Sequence, residues 1–81
     1  MVTAGTVEKG DAFVSIESAN EREIQIRSKL QRIYGEAVRK TVEDMTSDLV
    51  AKIEVVDMGA LDWVLRARIE SALRKFRGEE E

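Results

Sequence analysis

Apolar residues in this chain keep two different rhythms, and the order in which the rhythms change dictates what it can fold into. Val14 and Ile16 alternate with Ser15 and Glu17, and Ile24 and Ile26 alternate with Glu23, Gln25 and Arg27. A period of two sends successive side chains to opposite faces of a strand. From Leu30 the spacing lengthens: Leu30, Ile33, Tyr34, Ala37, Val38, Thr41, Val42 and Met45 recur every three or four residues, the stripe of an amphipathic helix with Ser28 as its N-cap. Residues 49–56 return to alternation through Ala51, Ile53 and Val55. Leu61, Val64, Leu65, Ile69, Ala72, Leu73 and Phe76 then form a second helical stripe within residues 60–77. Residues 3–8, followed by the turn Lys9-Gly10-Asp11, supply the first strand of a hairpin.

The predicted order is therefore β-β-β-α-β-α. One-sided alternation in the strands and one apolar stripe per helix make this an α+β two-layer sandwich, with a four-stranded antiparallel or mixed sheet and two amphipathic helices on one face. A chain of 81 residues supports one modest core, so residues 1–78 are read as a single domain and the acidic residues 79–81 as a frayed tail. There is no proline, and glycine marks the turns. Gly35 falls inside the first helix, where it costs about 1 kcal/mol relative to alanine and permits close packing on the sheet.

Composition excludes several kinds of chemistry. Cysteine and histidine are both absent, which removes thiolate catalysis, disulfides, the usual zinc ligand sets and the commonest general base. The net charge is −3, with both signs interleaved through the 36% of residues that are charged, so there is no basic field of the sort that nucleic-acid binding needs. No apolar run reaches the ~20 residues of a membrane span, and a soluble cytoplasmic protein is expected. No glycine-rich phosphate loop and no metal site is visible. Asp57 is read as a turn residue ahead of Gly59, and Asp62 as an acid in the first turn of the second helix, rather than as a catalytic pair.

Two segments carry a resemblance: Ala4-Gly5-Thr6-Val7-Glu8-Lys9-Gly10-Asp11, and the run from Val55 through Gly59-Ala60-Leu61-Asp62-Trp63-Val64-Leu65-Arg66-Ala67-Arg68-Ile69-Glu70. Together they resemble the gamma subunit of citrate lyase, the lyase-type acyl carrier protein, a family that the carrier subunit of malonate decarboxylase also resembles. The resemblance runs from Ala4 to about Leu73 and implies a non-catalytic subunit presenting acetyl and citryl thioesters to lyase and acyl-transferase subunits. The arm in that family is 2'-(5''-triphosphoribosyl)-3'-dephospho-CoA, joined through a phosphodiester to a serine. Gly5, Thr6, Val7, Glu8, Gly10 and Asp11 fit the family pattern, but Lys9 stands at the serine position, and an amine cannot form that linkage. A paralogue that kept only an assembly role and an engineered unmodifiable form both accommodate Lys9. A one-residue slip of register is disfavoured, since Gly10 and Asp11 both fit. Nearby hydroxyls exist at Thr3, Thr6 and Ser15, of which Thr6 and Ser15 fall within predicted strands and are disfavoured as substitutes.

Arg66 has an intrahelical explanation, and Arg66 and Arg68 share an implied one. Asp62–Arg66 and Arg66–Glu70 are spaced as i,i+4 pairs, while the resemblance implies that Arg66 and Arg68 contact partner subunits or phosphates of the arm. Trp63 sits off the apolar stripe and is read as an interface anchor, a role in which tryptophan is enriched. The rival to a carrier-type subunit is a structural or assembly module without acyl cargo.

Overall fold

The computed structural model describes residues 1–29 and 31–78. Four strands, β1 (Val2–Gly5), β2 (Ala12–Ser18), β3 (Glu23–Ser28) and β4 (Ala51–Asp57), and two helices, α1 (Gln31–Met45) and α2 (Asp62–Phe76), follow one another in the predicted order β-β-β-α-β-α. In the sheet the order is β1-β2-β4-β3. β1 pairs with β2 and β2 with β4 antiparallel, while β3 runs parallel to β4, so the sheet is mixed. The parallel pair follows from α1, a crossover long enough to return the chain to the same end of the sheet.

Register turns the alternation into a core. Ile24, Ile53 and Ile16 share one row across β3, β4 and β2, and Ile26, Val55 and Val14 share the next. Val14, Ile16, Ile53 and Val55 are completely buried beneath the helices, with Ala12, Ala51, Ile69 and Ala72. α2 packs over β1 and β2, and α1 over β3. The other face carries polar rows such as Ser15, Glu54 and Gln25, and it remains uncovered, as the one-sided alternation requires.

α1 departs from its predicted stripe. Gly35, Val38, Thr41 and Val42 are its buried residues, whereas Ile33, Tyr34 and Ala37 are exposed. The buried set keeps helical spacing but is rotated about the axis, with Gly35 on the inward face. Ser28 ends β3, and its hydroxyl donates to the Asp57 carboxylate at 3.0 Å. Leu30 and the tail 79–81, which belonged to the sequence reading, lie outside the described residues. Among the described residues no helix is long and apolar enough to cross a membrane.

The last turn of α1 is tied down by a residue the periodicity does not flag. Arg22, in the β2–β3 connection, donates from its guanidinium to the carbonyls of Glu43, Thr46 and Leu49 and to the Thr46 hydroxyl. These are orphan acceptors at a helix C-terminus, where a cation is also favoured by the helix dipole. Thr46 returns its own hydroxyl proton to the Val42 carbonyl at 2.7 Å. Arg22→Ala is expected to lower stability by about 1–2 kcal/mol, seen as a drop of several degrees in thermal denaturation. Lys40→Ala, which breaks only the exposed Lys40–Asp44 pair, is expected to stay within about 0.5 kcal/mol of wild type.

Candidate functional site at the hairpin end of the sheet

Ala12, at the start of β2, lies opposite Asp57, the last residue of β4, which in turn lies beside Ser28 at the end of β3. This register gathers the β1–β2 loop, the β4–α2 turn and the start of the β3–α1 connection at one end of the molecule. It is the carboxyl end of the parallel pair, the end at which open sheets containing parallel strands place their ligands. The pieces are stitched together through the backbone. Gly10 N–H donates to the Met58 carbonyl at 2.7 Å and Met58 N–H to the Asp11 carbonyl at 2.9 Å, while Asp11 N–H closes the loop on Glu8 at 3.0 Å. Asp57, buried, accepts from Ser28 on one carboxylate oxygen and from Ala60 N–H, at 2.8 Å, on the other. Its turn role, anticipated from sequence, thus extends to three chain segments.

Asp11 is the centre of the loop. Arg68 of α2 reaches it with both arms of its fork, Nε to Oδ1 at 2.9 Å and Nη2 to Oδ2 at 3.1 Å. Ala12 N–H donates to Oδ1 at 2.7 Å and the Thr6 hydroxyl to Oδ2 at 2.8 Å. Four donors on one carboxylate, with Arg68 the strongest influence and then Ala12 and Thr6, hold the Asp11 carboxyl well below the usual range. Asp11 in turn raises the Arg68 guanidinium. The close approach of the hairpin strands also requires glycine at position 5: its φ is +85°, and an added Cβ would lie 1.8 Å from the Ala12 carbonyl oxygen.

The sequence-derived residues are distributed as follows. Lys9 projects from the loop tip, exposed, with no hydrogen bond or ion pair to any described residue, flanked by exposed Glu8 and Gly10. Arg68 joins the same locus through Asp11. Arg66 points elsewhere and pairs with Asp62 at 2.6 Å. The expected Arg66–Glu70 pair does not form, because Glu70 is taken by Arg74 at 3.3 Å. Trp63, in the first turn of α2, is 70% exposed. Among the described residues no group of acids could hold a metal ion.

The hydroxyl inventory near the tip does not fit a phosphodiester-linked arm. β1 ends at Gly5, so Thr6 is a loop residue rather than a strand residue, but its oxygen already donates to Asp11 and accepts from Glu8 N–H at 3.2 Å. Ser15 is buried inside β2. At position 9 itself the exposed side chain is an amine.

Because the Asp11 carboxyl is lowered in the folded protein, the unfolded chain takes up a proton first as pH falls, so the loop's contribution is fully present above about pH 4 and is lost progressively below it. Urea denaturation at several pH values is expected to show Asp11→Asn less stable than wild type at pH 7, with the gap narrowing steadily as pH falls below about 4. A gap that is independent of pH would contradict the assignment.

A scan against protein-family models matches residues 1–76 to the acyl carrier protein family described as the malonate decarboxylase delta subunit. No solved structure matches the chain. The match takes in the hairpin, both helices and every residue of the Gly5-Thr6-Asp11-Arg68 arrangement. With all but the last five residues accounted for, the chain belongs to this acyl carrier protein family.

Proposed function

We propose that this chain is a non-catalytic subunit of a cytoplasmic acyl-processing complex of the citrate lyase or malonate decarboxylase kind, and that it serves there as a pseudo-carrier. It keeps the carrier's shape and docking end but holds no prosthetic group at Lys9. The observation that carries this reading is the contrast within one loop. The features that shape the hairpin are in place: Gly5 at positive φ, the Thr6–Asp11–Arg68 bonds and the Gly10–Met58 backbone pair. The tip alone lacks the hydroxyl that a phosphodiester demands. Lyase and acyl-transferase subunits are the partners this reading implies, and its role toward them is assembly rather than delivery of acetyl or citryl groups.

Intact mass spectrometry decides the matter. Purified from cells that make the partner subunits and the prosthetic-group transferase, the wild-type chain is expected at its unmodified mass, and Lys9→Ser is expected to gain the mass of the arm. A wild-type chain that carries the arm contradicts the pseudo-carrier reading. If that extra mass then vanishes in Thr6→Ala, the attachment point is the exposed loop threonine.

A further inference from the structure

Helix α1 outreaches helix α2 at the hairpin end. The Thr41 hydroxyl meets the carboxylate of Asp62, the first residue of α2, at 3.3 Å. Arg77, just past the end of α2, pairs with Asp48, just past the end of α1, at 3.6 Å. The helices therefore run side by side in the same sense, with α2 starting about level with Thr41. Tyr34 stands seven residues before Thr41, two turns earlier on the same side and about 10 Å along the axis. That side of α1 would lie under α2 if α2 were longer. Instead it forms the flank of a ledge on which Tyr34 is 52% exposed and Ile33, about a quarter turn round the helix toward solvent, 70%, and the chain entering α2 adds Leu61 and Trp63, also exposed. Isolated exposed apolar side chains are ordinary, but a group gathered at one end marks an interaction surface.

The charges around the ledge are arranged in the same place. Of the thirteen lysines and arginines, seven take part in ion pairs and Arg22 and Lys75 are committed to backbone carbonyls. The remaining four are Lys9, Arg27, Lys29 and Arg32, which have no hydrogen bond or ion pair from their side chains among the described residues. All four sit at the hairpin end: the loop tip, the end of β3, the β3–α1 connection and the first turn of α1. Glu8 and Glu36 are the exposed acids beside them without an ion pair. The opposite end carries Glu17, Glu21 and Glu23. Arg27 alternates with Ile26 and so lies on the sheet face away from the helices, which leaves Lys9, Lys29 and Arg32 as the unpaired cations on the side of the aromatic and aliphatic ledge in a chain of net charge −3.

From this arrangement we infer that the ledge formed by the first turns of α1 and α2 is the docking face for a partner subunit whose own surface is an apolar groove bordered by acidic side chains. The inference rests on the subunit role proposed above and names the surface that would carry it. Trp63 and Tyr34 supply buried anchors of the type that dominate interface energies, and Lys29 and Arg32 supply complementarity that speeds encounter and weakens with salt.

The test is binding of the purified full-length chain to purified lyase and acyl-transferase subunits of the same organism, by biolayer interferometry at low and high salt. Ile33→Asp and Trp63→Asp place carboxylates in first helical turns, where the dipole favours them, so folding is retained and is checked by circular dichroism. Each is expected to weaken binding at least tenfold. The double variant Lys29→Glu/Arg32→Glu is expected to slow association about tenfold and to flatten its salt dependence, while Lys40→Glu on the solvent side of α1 leaves binding unchanged. Wild-type binding that persists in all the ledge variants overturns the docking face and leaves the subunit role standing. Failure of the wild type to bind either subunit overturns both, and self-association abolished by Trp63→Asp shows that the ledge takes a second copy instead.

Discussion

The bidentate bond between Arg68 and Asp11 is the interaction on which the functional end depends. It joins a residue on the second helix to one in the first loop, 57 positions apart, and it fixes that loop against the helix that covers the same two strands. A six-residue connection with glycines at both of its margins has little reason to hold one shape by itself. Here the carboxylate collects Arg68, Thr6 and Ala12, and the Gly10–Met58 pair fastens the loop to the β4–α2 turn. The tip residue takes no part, and this is how position 9 can change chemically while the frame around it stays the same.

A second constraint is the unequal reach of the helices. Both contain fifteen residues, yet α2 begins beside the eleventh residue of α1. The offset leaves the sheet covered and the core closed, with Val42 and Ile69 fully buried, while the front of α1 projects past its neighbour. Arg22 holds the rear of α1 by its carbonyls. One end of the domain is thus closed with hydrogen bonds, and the other is left with exposed aromatic and cationic groups.

The strands, both helices and their order were legible in the sequence because periods of two and 3.6 follow directly from which face is buried. Parallel pairing of β3 with β4 was left open between antiparallel and mixed, since alternation is blind to strand direction. The stripe of α1 was legible in type but not in phase: Ile33 and Tyr34 have the spacing of core residues, and only the position of α2 reveals that nothing in the described chain covers them. At the candidate site, Lys9-Gly10-Asp11 announced a turn, but the Asp11–Arg68 bond had no local signature. Local spacing instead offered Arg66–Glu70, a pair that Arg74 pre-empts. Lys9 drew attention through the resemblance alone, because the residues on either side of it fit that pattern.

Arg68 and Asp11 shape the loop, which is indifferent to the residue at its tip. Amide hydrogen exchange at Gly10 and Met58, followed by NMR, tests this most directly. Lys9→Ser is expected to exchange at the wild-type rate at both amides, and Arg68→Ala is expected to exchange much faster. Fast exchange in Lys9→Ser, or protection that survives in Arg68→Ala, would contradict it.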